Sequence, residues 1–412
     1  MRILYTIAIH LYTLGIRLAA LFGHTKARQM VQGWKQVPTA LAKLQHDKPT
    51  VWFHAASLGE FEQARPVLEA YRQRHPECQV LVTFFSPSGY EVRKNYAKAE
   101  AVCYLPMDTP GNVRRFLDAA HPDKVFFVKY EFWYNYLNAL RQRGIDTYIF
   151  SAIFRPEQYF FKPWGRWFIR QLRECFTHLF VQNEESLQLL QSHGIAHCSL
   201  AGDTRYDRVH QIAQAAEPDA VVERFLQGYD GKVLVAGSSW PPDEQLIARL
   251  RESKEWFPER IIIAPHEIHE EHLQQIERLF PGSVRYSSLT SPTSSTGRVL
   301  IIDNIGLLSK LYRYATVAYI GGGFGAGIHN ILEAVAYGKP VVFGPNHQKF
   351  QEAHDIFELG GGMMVDEKPD VSFLRKLFTD DDIYHAASDA CLQLMRRNLG
   401  SANIILKAVD EK

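Results

Sequence analysis

Between Ala315 and Asn346 the chain reads ATVAYIGGGFGAGIHNILEAVAYGKPVVFGPN, and no other stretch constrains the fold as strongly. A short apolar run, Thr316 to Ile320, leads into Gly321, Gly322, Gly323, Gly325 and Gly327. A helix is expected to open near His329 and Asn330, and a second apolar run, Pro340 to Phe343, follows Gly338. Strand, glycine-dense turn, helix, strand is the recipe for a parallel sheet with an anion site. Glycine lets the backbone approach a ligand closely, and free N–H groups at a helix start face it. Asn330 and Glu333 stand three apart and share one face of the first turn. A carboxylate there can accept from vicinal hydroxyls, as the acidic residue of a dinucleotide fold does for ribose. It can equally complement the helix dipole and bind nothing. The stretch is not a GxGxxG fingerprint, and no GxxxxGK[ST] loop occurs in the chain.

The same alternation runs through the rest of the sequence. VWFHAAS (51–57) reads as a strand, followed by Leu58-Gly59-Glu60 and the helical pattern FEQARPVLEAYRQR. QVLVTFFS, AVCYLPMD, KVFFVKYEFW, DTYIFSAIF and HLFVQNEES are further strand candidates, each followed by a helical pattern. Repeated strand–helix units predict a parallel sheet covered on both faces. Glu60 opens a helix and Glu131 ends the strand 124–133, so the two are expected to meet at the carboxyl end of one sheet. For Glu60, a helix-dipole partner and a general base both remain open. The alternation breaks around SLAGDTRYDRV (199–209), and KVLVAGSSW and RIIIAPHEIHEEH start a second series that ends in the glycine-rich stretch.

At 412 residues the chain is too long for one ordinary core, and two domains are expected. A net charge of +1 gives no broad basic field, which argues against nucleic acid as a partner. The five cysteines are odd in number and form no CxxC pair, which favours a reducing compartment over a zinc or disulfide framework. HEIHEEH is not HExxH in register, and Asp380-Asp381-Asp382 reads as a capping cluster, so no metal site is expected. The N-terminus differs from the remainder. In residues 3–22, Leu4, Ile7, Leu11, Leu14, Leu18 and Leu21 form an apolar helical stripe, with His10 and Arg17 on another face. An interfacial helix on a membrane, a single signal-anchor and a helix packed on the protein's own core all satisfy that pattern.

Taken together, HAASLGE, FFSPSGYE, YLPMDTPGNVRRFLD, VKYEFWYN, AGDTRYD, AGSS, APH and HNILEAVAYGKPVVFGPN resemble, in order and spacing, the Kdo (3-deoxy-D-manno-octulosonic acid) transferases of lipopolysaccharide synthesis. The resemblance implies transfer of Kdo from CMP-Kdo to a lipid A precursor at the cytoplasmic face of the inner membrane, with inversion and without a metal or other cofactor. It implies Glu60 as general base and Glu131 as transition-state stabiliser, with Arg205 where the family has a lysine. CMP-Kdo contacts map onto Pro265 and His266, onto Ile305, Gly306 and Leu307, and onto Asn330, Ile331, Leu332 and Glu333. His266 replaces a family arginine and Leu307 a family glutamate. The acidic acceptor suggests Arg155, Lys162, Trp164, Arg166, Trp167 and Arg170 as contacts, the alternative being core aromatics beside a solvated basic face.

The expected fold is therefore α/β of the GT-B type: two Rossmann-like domains facing across a cleft, with an N-terminal membrane-associated helix. The expected divisions are 1–30 for that helix, 31–211 for an acceptor-binding domain, 212–384 for a CMP-Kdo-binding domain, and 385–412 for helices packing back on the first domain. Competing readings are another GT-B enzyme using a UDP-sugar (a transferase or an epimerase), a catalytically silent sugar-nucleotide-binding protein, and a membrane scaffold. Nucleotide preference separates the first, and retention of both Glu60 and Glu131 argues against the second.

Overall fold

The computed structural model describes residues 2–162, 165–253, 255–290, 297–366 and 370–411. The chain divides into two compact units, Met1–Arg208 with Gly400–Lys412, and Val209–Leu399.

The first unit is built on a seven-stranded sheet in the order β3-β2-β1-β4-β5-β6-β7. Its strands are β1 (Thr50–Ala55), β2 (Gln79–Phe84), β3 (Ala101–Tyr104), β4 (Lys124–Val128), β5 (Asp146–Ala152), β6 (His178–Val181) and β7 (Cys198–Leu200). Every pairing is parallel, so all carboxyl ends lie along one edge. The strands are aromatic and β-branched because both faces are covered; Trp52, Phe53, Phe126, Phe127 and Phe150 are fully buried. β1 and β4 run side by side in the middle, with His54 paired in register to Phe127. This central position brings the ends of β1 and β4 together.

The N-terminal helix, Arg2–Leu21, inverts the pattern of a soluble surface helix. Leu4, Ile7, Leu11, Leu14, Leu18 and Leu21 are all exposed, and Ile16 alone is buried. The inward face carries Ile9, Ile16, Ala19 and Ala20 against Met30, Tyr104 and Met107, while Tyr5 donates to Asp108 Oδ2 at 2.7 Å and Asn135 Nδ2 donates to Thr6 Oγ1 at 3.4 Å. A helix packed by its apolar stripe on the protein's own core is therefore overturned. The helix is long and apolar enough, by length and composition, to cross a membrane.

The second unit has its own seven-stranded parallel sheet, in the order β10-β11-β9-β8-β12-β13-β14. The strands are β8 (Val233–Ser239), β9 (Arg260–Pro265), β10 (Val284–Arg285), β11 (Val299–Ile301), β12 (Val317–Ile320), β13 (Val341–Phe343) and β14 (Gly362–Met364). The region expected to pack as one piece, 385–412, is split. Helix Asp381–Asn398 belongs to the second unit, where Ser388 Oγ donates to the Gly338 carbonyl at 2.7 Å. Its buried face is Ala387, Ala390, Cys391, Leu394 and Met395. Only Ser401–Asp410 joins the first unit, burying Ile405, Leu406 and Val409 beside the helix Leu58–Arg74. Asp207 holds its start, accepting from Gly400 N–H and Ala402 N–H at 2.7 Å each.

Candidate active site

In the first unit the end of β1 passes through Ala56 and Ser57 into the helix Leu58–Arg74. Ser57 is the N-cap, and Glu60 sits in the first turn, folded back so that Oε2 accepts from Ala56 N–H at 2.6 Å. This is a capping arrangement, so the dipole reading of Glu60 is satisfied locally. Its neighbours carry the second reading. Burial raises the Glu60 pKa, and the Glu131 carboxylate raises it further, against smaller lowering effects from Ala56 N–H, His54 and Lys129. The Glu131 carboxylate thus lies near enough for its charge to act on Glu60.

Glu131 is held by a chain of hydrogen bonds that begins in the core. Trp52 Nε1 donates to Thr83 Oγ1 at 2.7 Å, and Thr83 Oγ1 lies 2.8 Å from His54 Nδ1. His54 Nε2 lies 3.0 Å from Glu131 Oε2, and Trp133 Nε1 donates to the same oxygen at 2.7 Å. Trp133 Nε1 is also 3.2 Å from His54 Nε2. We assign its proton to the carboxylate, because Thr83 then donates to Nδ1, and Nε2–H donates to Glu131. His54 and Thr83 are completely buried. Lys129, between β4 and Glu131, has a left-handed φ of 60°, which costs a non-glycine residue of order 1–3 kcal/mol and marks local strain beside the two carboxylates.

Arg205 is placed differently. Its Nε donates to Asp203 Oδ2 at 2.7 Å, two residues away. The adjacent Thr204 donates to the Gln63 carbonyl at 2.8 Å, which ties this segment to the helix bearing Glu60. Of the suggested acceptor contacts, Lys162, Arg166 and Arg170 line one cavity of about 460 Å³ together with Arg173. Arg170 also pairs with Glu174 at 2.7 Å, Trp167 packs on Tyr134, and Arg155 lies outside that cavity. Trp164 lies outside the described residues.

In the second unit the glycine-rich stretch follows β12 as expected, but the helix after it is only Leu332–Val335. Its first N–H is already occupied, since Leu332 N donates to Asn330 Oδ1 at 3.2 Å. Gly338, at φ 65°, ends the turn. A long helix start pointing at an anion is thus replaced by a packed glycine loop. A Cβ on Gly321 would fall 2.2 Å from the Ser238 carbonyl oxygen, and one on Gly323 would fall 2.5 Å from Gly344 Cα. Two buried carboxylates from the helix Pro241–Ser253 fix this loop. Asp243 accepts from Gly322 N–H at 3.0 Å, Trp240 N–H at 2.9 Å and Tyr319 O–H at 2.8 Å. Glu244 accepts from Ser239 O–H at 2.8 Å and contacts His272 Nε2 at 3.0 Å. Burial raises the pKa of both carboxyls, and their hydrogen bonds oppose it.

Asn330 Nδ2 donates to Glu333 Oε1 at 3.2 Å, so this pair does share a face. His266, at the end of β9, stacks between Trp240 and His329 with centroid separations of 4.8 Å and 4.5 Å. Trp240 Nε1 donates to His329 Nε2 at 3.3 Å, and burial holds the His329 pKa down. His269 instead caps the helix Glu270–Leu279 through Nδ1. Ile305 is fully exposed, Gly306 has φ 97°, and Leu307 leads into a short helix at Leu308–Leu311. Trp240 belongs with the candidate residues yet carries no motif; only its position at a strand end, in GSSW, hints at it.

Residues 28–208, which include Glu60, Glu131 and Arg205, match the family described as "3-Deoxy-D-manno-octulosonic-acid transferase (kdotransferase)". A 3-deoxy-D-manno-octulosonic acid transferase of Aquifex aeolicus is 25% identical over 328 residues, covering 77% of this chain and 82% of that protein. One from Chlamydia muridarum is 24% identical over 364 residues, covering 85% and 83%. The chain is a homologue of the Kdo transferases. That likeness supports a glycosyltransferase. Its fold agrees: the UDP-GlcNAc 2-epimerase of Neisseria meningitidis, solved bound to UDP-GlcNAc, superposes with a TM-score of 0.63 at 15% identity over 88% of this chain and all of that one. Both units are Rossmann-like, of the GT-B type found in such neighbours.

Proposed function

We propose that this Kdo transferase homologue moves Kdo from CMP-Kdo to an acylated lipid A precursor in lipopolysaccharide synthesis, with inversion, at the cytoplasmic face of the inner membrane. The observation that carries the proposal is the pair of adjoining carboxylates, Glu60 with a raised pKa and Glu131 fixed by His54 and Trp133. In this reading Glu60 takes the proton from the acceptor hydroxyl as its oxygen bonds to the anomeric carbon and CMP leaves from the opposite face. A base with a pKa raised toward the working pH suits that proton transfer. Glu131, ordered by the imidazole, stabilises positive charge developing on the sugar. Arg205, oriented by Asp203, supplies charge on the side of the departing phosphate, as a planar fork in place of an ammonium. The donor is read onto Pro265, His266, Ile305, Gly306, Leu307 and Asn330 to Glu333. A donor with a single phosphate needs no ion to bridge a diphosphate, so we expect transfer without added metal or cofactor. The exposed stripe of Arg2–Leu21 is read as the membrane contact.

A UDP-sugar enzyme has only the fold likeness in its favour. The test is transfer by purified protein with donor generated in situ, reading CMP release and glycolipid mass together. Formation of a Kdo-bearing glycolipid supports the proposal. UDP release from a UDP-sugar without CMP turnover overturns it.

A further inference from the structure

The inward face of the helix Arg2–Leu21 does not close fully onto the first unit. Thr13 and Arg17 look into a cavity of about 570 Å³ walled by the helices Thr25–Leu41 and Pro110–Ala120. Its floor is apolar, made by Val37, Leu41, Met107 and Phe116. Gly33 sets the wall, since any Cβ there would strike the Tyr104 ring, and the next residue, Trp34, lines the space. The Trp34 indole N–H is buried without a hydrogen-bond partner. A buried donor of this kind costs about 1–3 kcal/mol until something accepts from it.

A second cavity, of about 400 Å³, shares Thr13, Arg17, Asn112 and Arg115 with the first. It is polar, adds His10 and Thr109, and lies at the start of the helix Pro110–Ala120. No carboxylate lines either space among the described residues, while Arg17, Lys35 and Arg115 do. An apolar chamber opening into a cationic one matches an amphiphile with one buried chain and an anionic head. The size lies in the range of single-ligand sites, roughly 300–1,000 Å³. That favours one acyl chain over the several of an acylated disaccharide.

We propose that these joined cavities hold an anionic glycerophospholipid, its phosphate between Arg17 and Arg115 and one acyl chain against Trp34 and Phe116. The proposal rests on reading Arg2–Leu21 as a membrane contact, because the outward stripe would bring the lipid to the opening. A resident lipid would complete the inward face of that helix and fasten it to the unit bearing Glu60.

The test uses the full chain with phosphatidylcholine vesicles, with or without phosphatidylglycerol, and bromine placed on the acyl chains of one lipid at a time. Brominated phosphatidylglycerol should quench tryptophan fluorescence more than brominated phosphatidylcholine at equal bromine content. The excess should vanish in Trp34→Phe and in the Arg17→Gln/Arg115→Gln pair, whose side chains are exposed, while vesicle flotation stays unchanged. Equal quenching by the two lipids, or an excess that survives Trp34→Phe, overturns the site. Quenching by brominated acceptor lipid alone overturns the occupant. Loss of flotation by the wild type overturns the membrane reading on which the proposal rests.

Discussion

The two α/β units each carry a seven-stranded parallel sheet, with different strand orders at one edge, and they differ in what the carboxyl ends of their strands present. In the first, side chains dominate: Glu60 and Glu131 adjoin, and His54, Thr83, Trp52 and Trp133 hold the second of them. In the second, backbone dominates: Gly321 and Gly323 pack against the Ser238–Ser239 and Gly344 segments, and the buried Asp243 and Glu244 carboxylates hold Gly322 N–H and Ser239 O–H. The difference teaches where each kind of residue is needed. A proton-transfer site requires titratable groups with perturbed environments, whereas a nucleotide cradle requires a backbone that can come close and stay put.

If that division is right, Glu60→Gln should have the largest effect, a loss of ~10²–10⁴-fold in transfer rate with donor affinity kept. The same variant gives a second readout. Folding raises the Glu60 pKa, so its contribution to stability is present below the unfolded value and lost as pH rises through the folded one. Removing the charge should therefore hold or raise the melting temperature at neutral pH. A fall in both activity and stability would point to a structural cap only.

Gly323→Ala is the matching variant in the second unit. With Gly344 Cα in the way, a shift of backbone is unavoidable, and we expect about 1–3 kcal/mol of destabilisation with a raised donor KM. Unchanged CMP binding in calorimetry would detach the loop from the donor. Asp243→Asn should be comparable, loosening Gly322 at about 1–3 kcal/mol and acting on KM before kcat. His54→Asn should do the reverse, lowering kcat with little change in donor KM, because it acts through Glu131; steady-state kinetics separate the two.

The smallest effect concerns the helix anchor. Burial pushes the Asp108 carboxyl up to about 6, against three hydrogen bonds from Asn135 N–H, Tyr136 N–H and Tyr5 O–H. Its stabilising contribution is complete below an unfolded value of about 3.9 and declines as pH rises through the folded one. Thermal melts of Asp108→Asn should accordingly be flatter than wild type between those limits; parallel curves would contradict the assignment.

Both sheets and the Glu60–Glu131 meeting were legible in the sequence, because β-prone runs, helical stripes and turn residues are local signals. The exposed stripe of residues 4–21 was legible as a pattern, yet its outward direction was not, since that depends on Asp108 and Asn135 more than a hundred positions away. His54, Thr83 and Trp133 escaped notice for the same reason: their hydrogen bonds join strands 29 to 79 residues apart and leave no spacing motif. Asp243 and Glu244 carry no motif, standing as acids in the first turn of a helix. The helix after the glycine loop opens later than His329 and Asn330 suggest, because residue preference does not show that Asn330 takes the Leu332 N–H.

The coupling between the two glutamates is tested most directly by the pH dependence of kcat/KM for wild type and Glu131→Gln. The account predicts an acidic limb above the ordinary carboxylate range in the wild type, displaced to lower pH when the Glu131 charge is removed, with burial of Glu60 keeping part of the shift. An acidic limb at the same pH in both proteins would contradict it.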